Sequence, residues 1–336
     1  MKPKKLLKAV RCNTDERMKI LVIRFSSIGD IVLTTPVVRC LKTQLKAEIH
    51  YLTKPQFAGL LEHNPYIDRV IPLPNPEGLL RYKLRKEKYD AIIDLHHNVR
   101  SRRFSMGLSP KVFRFNKLNV QKWLMVNLKI NKLPKLHIVD RYMDTVVKLG
   151  VTPDNKGLDY FHGLNTTDVR NKFRLPETYS VFAIGGQHTT KKMPLHKMVE
   201  LLDQIKVSLV LLGGKEDLEL GELISQKFPS IVSLCGATTL HESAAILSAS
   251  QWVISHDSGM MHIAAAYGKT IISIWGNTIP DFGMYPFHAH PDSCMFEVKD
   301  LACRPCSKIG HVTCPKGHFN CMEKQDTAAM AALINR

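Results

Sequence analysis

From residue 19 onward the chain alternates between two rhythms of hydrophobic and polar positions. Short unbroken apolar runs rich in β-branched residues, "KILVIRF", "EIHYLT", "RVIPLP", "AIIDLHH" and "KVFRF", read as strands. Between them, "DIVLTTPVVRCLKTQ" and "GLLRYKLRKEK" carry apolar residues at helical spacing. Strands that are apolar throughout, not at every second residue, are buried on both faces, as in the parallel sheet of a layered α/β fold. Two further helical segments, residues 120–129 and 137–149, close this part of the chain.

The polar, turn-rich stretch "GVTPDNKGLDYFHGLNTTDVRNKFRLPET" then breaks the pattern and reads as a linker. After it the alternation restarts. "YSVFAIGG", "VSLVLLGG", "IVSLCG", "QWVISHDSG" and "TIISIWG" are strands, with helices over residues 195–205, 217–228, 240–249 and 260–267. No solenoid-type repeat is present. The division this predicts is a basic extension, residues 1–17, and two similar α/β halves, residues 18–175 and 176–336. Halves in series imply a cleft between them, and open α/β sheets bind ligands at the carboxyl ends of their strands.

The length, 336 residues, exceeds one ordinary hydrophobic core and agrees with two domains. Charge narrows the partners: 47 Lys and Arg against 30 Asp and Glu leave a net +17, which attracts nucleic acid, anionic lipid or a phosphorylated substrate. Basic residues concentrate at 2–8, 81–88 and 100–103, each readable as a solvated face, the first also as a contact with a membrane surface. No apolar run approaches the roughly 18 residues of a membrane span, and the N-terminal segment has charges without a signal peptide's apolar core. The expectation is a cytoplasmic protein. Four of the eight cysteines crowd into residues 303–321, while Cys12, Cys40, Cys235 and Cys294 lie apart. Reduced thiols are expected, with metal binding confined to the cluster.

Candidate chemistry sits where strands end. Gly29 and Asp30, Asp94 with His96 and His97, Gly185 and Gly186, Gly213 and Gly214, and the run Asp257, Ser258, Gly259 fall on one edge of their sheets if the strands are parallel. Glycine there admits backbone N–H groups to a ligand, and a following helix N-terminus favours an anion; glycine also ends strands for conformational reasons alone. Asp30 in particular has an ordinary reading as a helix cap. Neither G-x-G-x-x-G nor G-x-x-x-x-G-K-[ST] occurs, which removes the sequence support for dinucleotide oxidoreductases and P-loop NTPases. In "GGQHTTKKMPLHKM", the hydroxyls of Thr189 and Thr190, the ammonium groups of Lys191 and Lys192 and a helix start suit a diphosphate. In "SHDSGMMHIAAAYG", Met260, Ile263, Ala264 and Tyr267 form the buried stripe and leave Ser258 and His262 on a neighbouring face. Without G-x-S-x-G, a Ser-His-Asp hydrolase is disfavoured. The tail "CRPCSKIGHVTCPKGHFNC" offers Cys303, Cys306, Cys314 and Cys321 as a candidate structural zinc site or a redox-sensitive loop, although its second cysteine pair is spaced too widely for a zinc ribbon.

With these pieces in order, the chain resembles the glycosyltransferase family 9 enzymes, the heptosyltransferases of lipopolysaccharide inner-core synthesis. The resemblance rests on "ILVIRFSSIGDIVLTTPVVRCLK", "TKKMP", "SHDSGMMHIAAAYGKTIISIWGNTIPDFGMYP" and the Cys-rich tail, and it runs from residue 19 over nearly the whole chain. It implies a GT-B architecture of two Rossmann-like domains, acceptor on the first and nucleotide sugar on the second. It also implies inverting transfer of a heptose from an ADP-activated donor to an anionic lipid-linked saccharide at the inner membrane surface, with no metal required for catalysis. Carried over, Asp30 is the general base. Thr189, Thr190 and Lys191 match the donor diphosphate loop, with Lys191 serving catalysis, and Asp257, Ser258, Gly259 and His262 match the nucleotide-sugar turn. Gly213, Gly214 and Glu216 are further donor candidates, and Ser27, Gly29, Arg100 and Arg103 are acceptor candidates. Met193 stands where many relatives carry Trp. The rival readings are a GT-B sugar-nucleotide epimerase or phosphorylase, which needs no lipid acceptor, and a nucleic-acid-binding protein, which would show interleaved aromatics or a recognisable module that this chain lacks.

Overall fold

The computed structural model describes residues 17–336, so the basic run at 2–8 and Cys12 lie outside the described residues. Strands β1 (Lys19–Ile23), β2 (Glu48–Thr53), β3 (Arg69–Pro72), β4 (Ala91–Asp94) and β5 (Val112–Arg114) form one sheet in the order β3-β2-β1-β4-β5. A second sheet, in the order β11-β10-β9-β6-β7-β8, contains β6 (Ser180–Ala183), β7 (Leu209–Leu212), β8 (Val232–Ser233), β9 (Trp252–His256), β10 (Thr270–Trp275) and β11 (Cys294–Glu297). Every pairing in both is parallel. The two-sided burial expected of continuous apolar strands is observed: Ile20, Leu21, Val22 and Ile23 are all 0% exposed.

Each sheet reverses its strand order at one point, between β1 and β4 in the first and between β6 and β9 in the second. Loops leaving such neighbouring strands diverge to opposite faces and open a crevice. Four of the five turns singled out in the sequence follow those four strands, and the fifth, Gly213 and Gly214, follows β7.

Several elements depart from the expected pattern. The helix expected over "DIVLTTPVVRCLKTQ" is two, Ile28–Val32 and Thr35–Leu45, because Pro36 lies in the first turn of the second; its ring would clash with the carbonyl four residues back in a continuous helix. Helix Thr166–Lys172 forms inside the turn-rich linker, its first N–H groups capped by Asn165, and packs on helix Leu240–Ala249. Strand β11 is an unanticipated edge strand.

The linker is held to the first half by Arg39, 3% exposed, which makes paired bonds of 2.7 and 2.9 Å to Asp154 and a further one to Asp159. The tail is held to the second half at several points. The Arg304 guanidinium donates to the carbonyls of Gly276 and Thr278 and pairs with Glu297. Helix Thr327–Ile334 packs on helix Leu195–Leu202, and the Thr327 hydroxyl donates to Glu200.

Candidate active site

After β1 the chain enters the one-turn helix Ile28–Val32, whose N-cap is Ser27 and whose third residue is Asp30. Asp30 is therefore not the cap itself. Its Oδ2 accepts from the Ser27 backbone N–H at 3.2 Å and from the Ser27 hydroxyl at 3.0 Å. Its Oδ1 pairs with Arg24 Nη2 at 2.6 Å. Arg24 is fixed in turn, donating to the carbonyls of Ser26 and Leu95 and to the Tyr142 hydroxyl. Burial pushes the Asp30 carboxyl up, but Arg24 and the Ser27 bonds outweigh it and hold the carboxyl below its ordinary value. Asp30 is thus an ionised, oriented carboxylate.

The other side of the crevice comes from the second sheet. Ser258 occupies the N-cap position of helix Gly259–Ala266, which begins directly after β9, and this helix packs against Ile28–Val32. Their contact depends on two missing side chains. A methyl group on Gly29 would lie 2.5 Å from His262 Cδ2, and one on Gly259 would lie 2.7 Å from the Ile28 side chain. His262 is 2% exposed, and burial takes its pKa down to about 4 against the pull of Asp257 and Asp30. It faces Asp30's helix as a neutral imidazole, and its Nδ1 has no partner.

Behind this contact the turn Thr189–Lys191 is locked by its two lysines, each to a different neighbour. Lys191 Nζ lies 2.6 Å from Asp257 Oδ2, which also accepts from the Thr278 hydroxyl at 2.8 Å. Lys192 Nζ lies 2.9 Å from Asp217 Oδ1, whose other oxygen accepts from Gly214 N–H at 2.9 Å. The three Gly-rich turns after β6, β7 and β9 thereby become one unit. Asp217, 1% exposed, and Thr278 were not among the candidates. For Asp217 a sequence signal existed: it stands three residues after Gly214, where a carboxylate reaches back to the start of a turn.

Other candidates are placed differently. The Thr190 hydroxyl accepts from His311 N–H at 2.8 Å and donates to His311 carbonyl at 3.0 Å, so it ties the loop to the tail. Thr189 is exposed at the start of the turn, Glu216 is exposed beside Gly214, and the Ser258 hydroxyl lies 3.2 Å from that of Ser255. Arg100 pairs with Glu77 and stacks over the Phe25 ring, and Arg103 is exposed on the same helix, Val99–Ser105. The cations that sense the Asp30 carboxylate are others. Burial first, then Arg24, lowers Lys117, and burial first, then Arg141, brings Lys122 down to about 8, with Asp30 opposing both. Lys122 also reaches over the Phe282 ring of the second half, 5.7 Å from its centroid. Asp94 is fully buried and saturated by the His96 and His97 N–H groups, Ser101 and Arg114, so it holds its loop and has no oxygen to spare.

In the tail, Cys303, Cys306, Cys314 and Cys321 line one pocket with His318, Thr190 and Asn277. Burial raises the Cys321 thiol to about 12. Among the described residues, the set of three metal-ligating side chains with donor atoms within 4.8 Å of one another is Glu62, His63 and His241, not a set from the tail.

The chain is similar to known proteins. The sequence pattern of a family described as "Glycosyltransferase family 9 (heptosyltransferase)" matches residues 79–313. Lipopolysaccharide heptosyltransferase 1 of Campylobacter coli is 27% identical over 293 residues, 78% of this chain and 84% of that one. Lipooligosaccharide heptosyltransferase 2 of Haemophilus influenzae is 25% identical over 79% of this chain and 85% of its own. Among solved structures, Escherichia coli ADP-heptose LPS heptosyltransferase II superposes with a TM-score of 0.71 at 22% identity, covering 94% of this chain and 98% of that one. Its two facing Rossmann-like domains are the GT-B fold, and the present chain has that fold.

Proposed function

The chain belongs to glycosyltransferase family 9, and from that membership we propose that it moves a heptose, with inversion, from an ADP-activated donor to a lipid-linked inner-core acceptor of lipopolysaccharide. The observation that carries the reading is the meeting of the two switch-point turns: Gly29 against His262, Gly259 against Ile28, with Asp30 on one side and the Lys191–Asp257 pair on the other. In this reading Asp30 takes the proton of the acceptor hydroxyl as that oxygen attacks the anomeric carbon. The bond to the diphosphate breaks on the opposite face, and its electron pair leaves with the nucleotide. Arg24 and Ser27 aim the carboxylate while lowering its basicity, so proton transfer accompanies attack and does not precede it. Lys191 meets the charge growing on the diphosphate. Lys117 and Lys122 line the approach for an anionic acceptor, with Arg100 and Arg103 at its rim.

The tail cysteines are structural in this proposal, with zinc as their candidate ligand, and no chemical step runs through them. Contact with the inner membrane surface is part of the same reading. Its support is helix Asn119–Leu128, which buries none of its residues, exposes Val120 by 69% and Trp123 by 57%, and precedes the exposed Lys132 and Lys135. Among the described residues no helix is long and apolar enough to cross a membrane.

The test pairs a melting-temperature panel of ADP-, GDP-, UDP- and CMP-sugars with a transfer assay on heptose-free inner-core lipid. A ligand of the native state raises stability in proportion to its affinity. Stabilisation by the ADP-sugar and a product heavier by one heptose are expected. Stabilisation by another nucleotide sugar alone overturns the donor, and hydrolysis or epimerisation without transfer overturns the function.

A further inference from the structure

A second cluster lies apart from the switch-point turns, where the linker meets both halves. Glu62 and His63 follow the 3-10 helix Pro55–Leu61 of the first half, and His241 stands in the first turn of helix Leu240–Ala249 of the second. One carboxylate oxygen, Glu62 Oε1, lies 3.3 Å from His241 Nε2 and 3.6 Å from His63 Nε2. The two imidazole rings are 5.2 Å apart. Two ligand atoms bound tetrahedrally at the usual zinc–nitrogen and zinc–oxygen lengths sit about 3.3 Å from each other. Both carboxylate–imidazole pairs are near that spacing, and all three donor atoms lie within 4.8 Å of one another.

Both imidazoles are oriented by the linker. The Tyr160 hydroxyl lies 3.2 Å from His241 Nδ1, which leaves Nε2 directed at the cluster. Metal-bound histidines ordinarily have such a partner on the other ring nitrogen. Gly163, at φ +68°, packs so closely on His63 that a methyl group there would lie 2.7 Å from the ring. Two imidazoles and a carboxylate at one seam favour a borderline-soft divalent ion over magnesium or calcium, which prefer oxygen ligands.

We propose that Glu62, His63 and His241 bind a divalent transition metal of the zinc class, which fastens the two halves to each other beside the linker. The site shares no residue with the Asp30 turn and is independent of the reaction assigned above.

The test is titration of the full chain with Zn2+ alone after chelation, followed by stoichiometry and melting temperature, in the wild type, His63→Ala, His241→Ala and Tyr160→Phe. One equivalent of zinc is expected to be lost in each histidine variant together with the zinc-induced rise in melting temperature, and Tyr160→Phe should bind about 10-fold or more weakly. Cobalt separates this site from the tail, because thiolate ligands add a near-ultraviolet charge-transfer band. That band should be unchanged in all three variants. The proposal is overturned if both histidine variants keep the wild-type stoichiometry. It is equally overturned if they melt lower in the absence of metal while the wild type takes up no zinc outside the tail, since the three side chains would then form only an imidazole–carboxylate contact.

Discussion

At the scale of single residues, Asp30 has two structural duties. It supports the start of its helix through Ser27 and pairs with Arg24, itself 8% exposed. Asp30→Asn therefore loses a charged partner of a buried guanidinium, at a cost of about 2 kcal/mol, and should melt lower. A base role adds a fall in turnover of roughly 100- to 10,000-fold at saturating donor and acceptor, because an amide cannot take the proton. Initial rates at a temperature where the variant is still folded separate the two. Turnover within a few-fold of wild type would leave Asp30 with a purely structural duty, and Asp94, being saturated, could not replace it. Lys191→Ala should raise the barrier for donor use by about 3 kcal/mol, on the order of 100-fold in kcat/KM for the nucleotide sugar, with the acceptor KM unchanged. Equal losses for both substrates would instead mark Lys191 as a brace for Asp257. The pattern of Gly, Asp and Lys at strand ends revealed these residues. It did not reveal Lys117 and Lys122, which gain meaning only in three dimensions, Lys122 by reaching the Phe282 ring of the second half.

At the scale of elements, the crevice depends on two helix starts that touch because Gly29 and Gly259 have no side chains. Gly259→Ala should force the helices apart by roughly the tenths of an ångström to an ångström that such a contact lacks, and misplacement of about 1 Å costs on the order of 100-fold in turnover. Gly78→Ala is the control, since a methyl there meets nothing within 4 Å; it should leave turnover unchanged and raise helix stability by up to about 1 kcal/mol. Equal turnover in both variants would show that the contact is not needed for the reaction. The strands were legible because both sheets are parallel and buried, which leaves long apolar runs between turns. Strand β11 was not, because it is an edge whose residues are exposed or half-buried. Helix Thr166–Lys172 was hidden by its own Asn, Thr and Asp residues, which favour both caps and turns. The break before Pro36 was readable in principle, since a proline six residues into a helical pattern ends or restarts it.

At the scale of the whole molecule, buried histidines set the response to acid. Burial brings His96 and His137 down to about 3 and His256 and His262 down to about 4. In the unfolded chain each would take a proton near pH 6.5, so the native state is favoured fully above that value and loses ground as pH falls from there toward 4. Unfolding at pH 5 should take up about four more protons from these groups than unfolding at pH 8. Denaturation curves across that range measure the uptake, and a pH-independent stability from 7 to 5 would contradict it. The exposed face of helix Asn119–Leu128 makes a second global prediction: sedimentation with anionic vesicles, weakened by salt and by Trp123→Glu, and little binding to zwitterionic ones. Unaltered binding in the variant would move the membrane contact elsewhere. The tail has a consequence in time as well as in space. Thr190 takes its hydrogen bonds from His311, 121 residues further along, so the ribosome must add all of them before the loop can close. At about 5–20 residues per second the first sheet has roughly 10 s or more to fold while the Thr189–Lys191 turn of the nascent chain stays unfinished. A polypeptide released before residue 311 would carry every residue of the Thr189–Lys191 turn and still lack the partner that holds it.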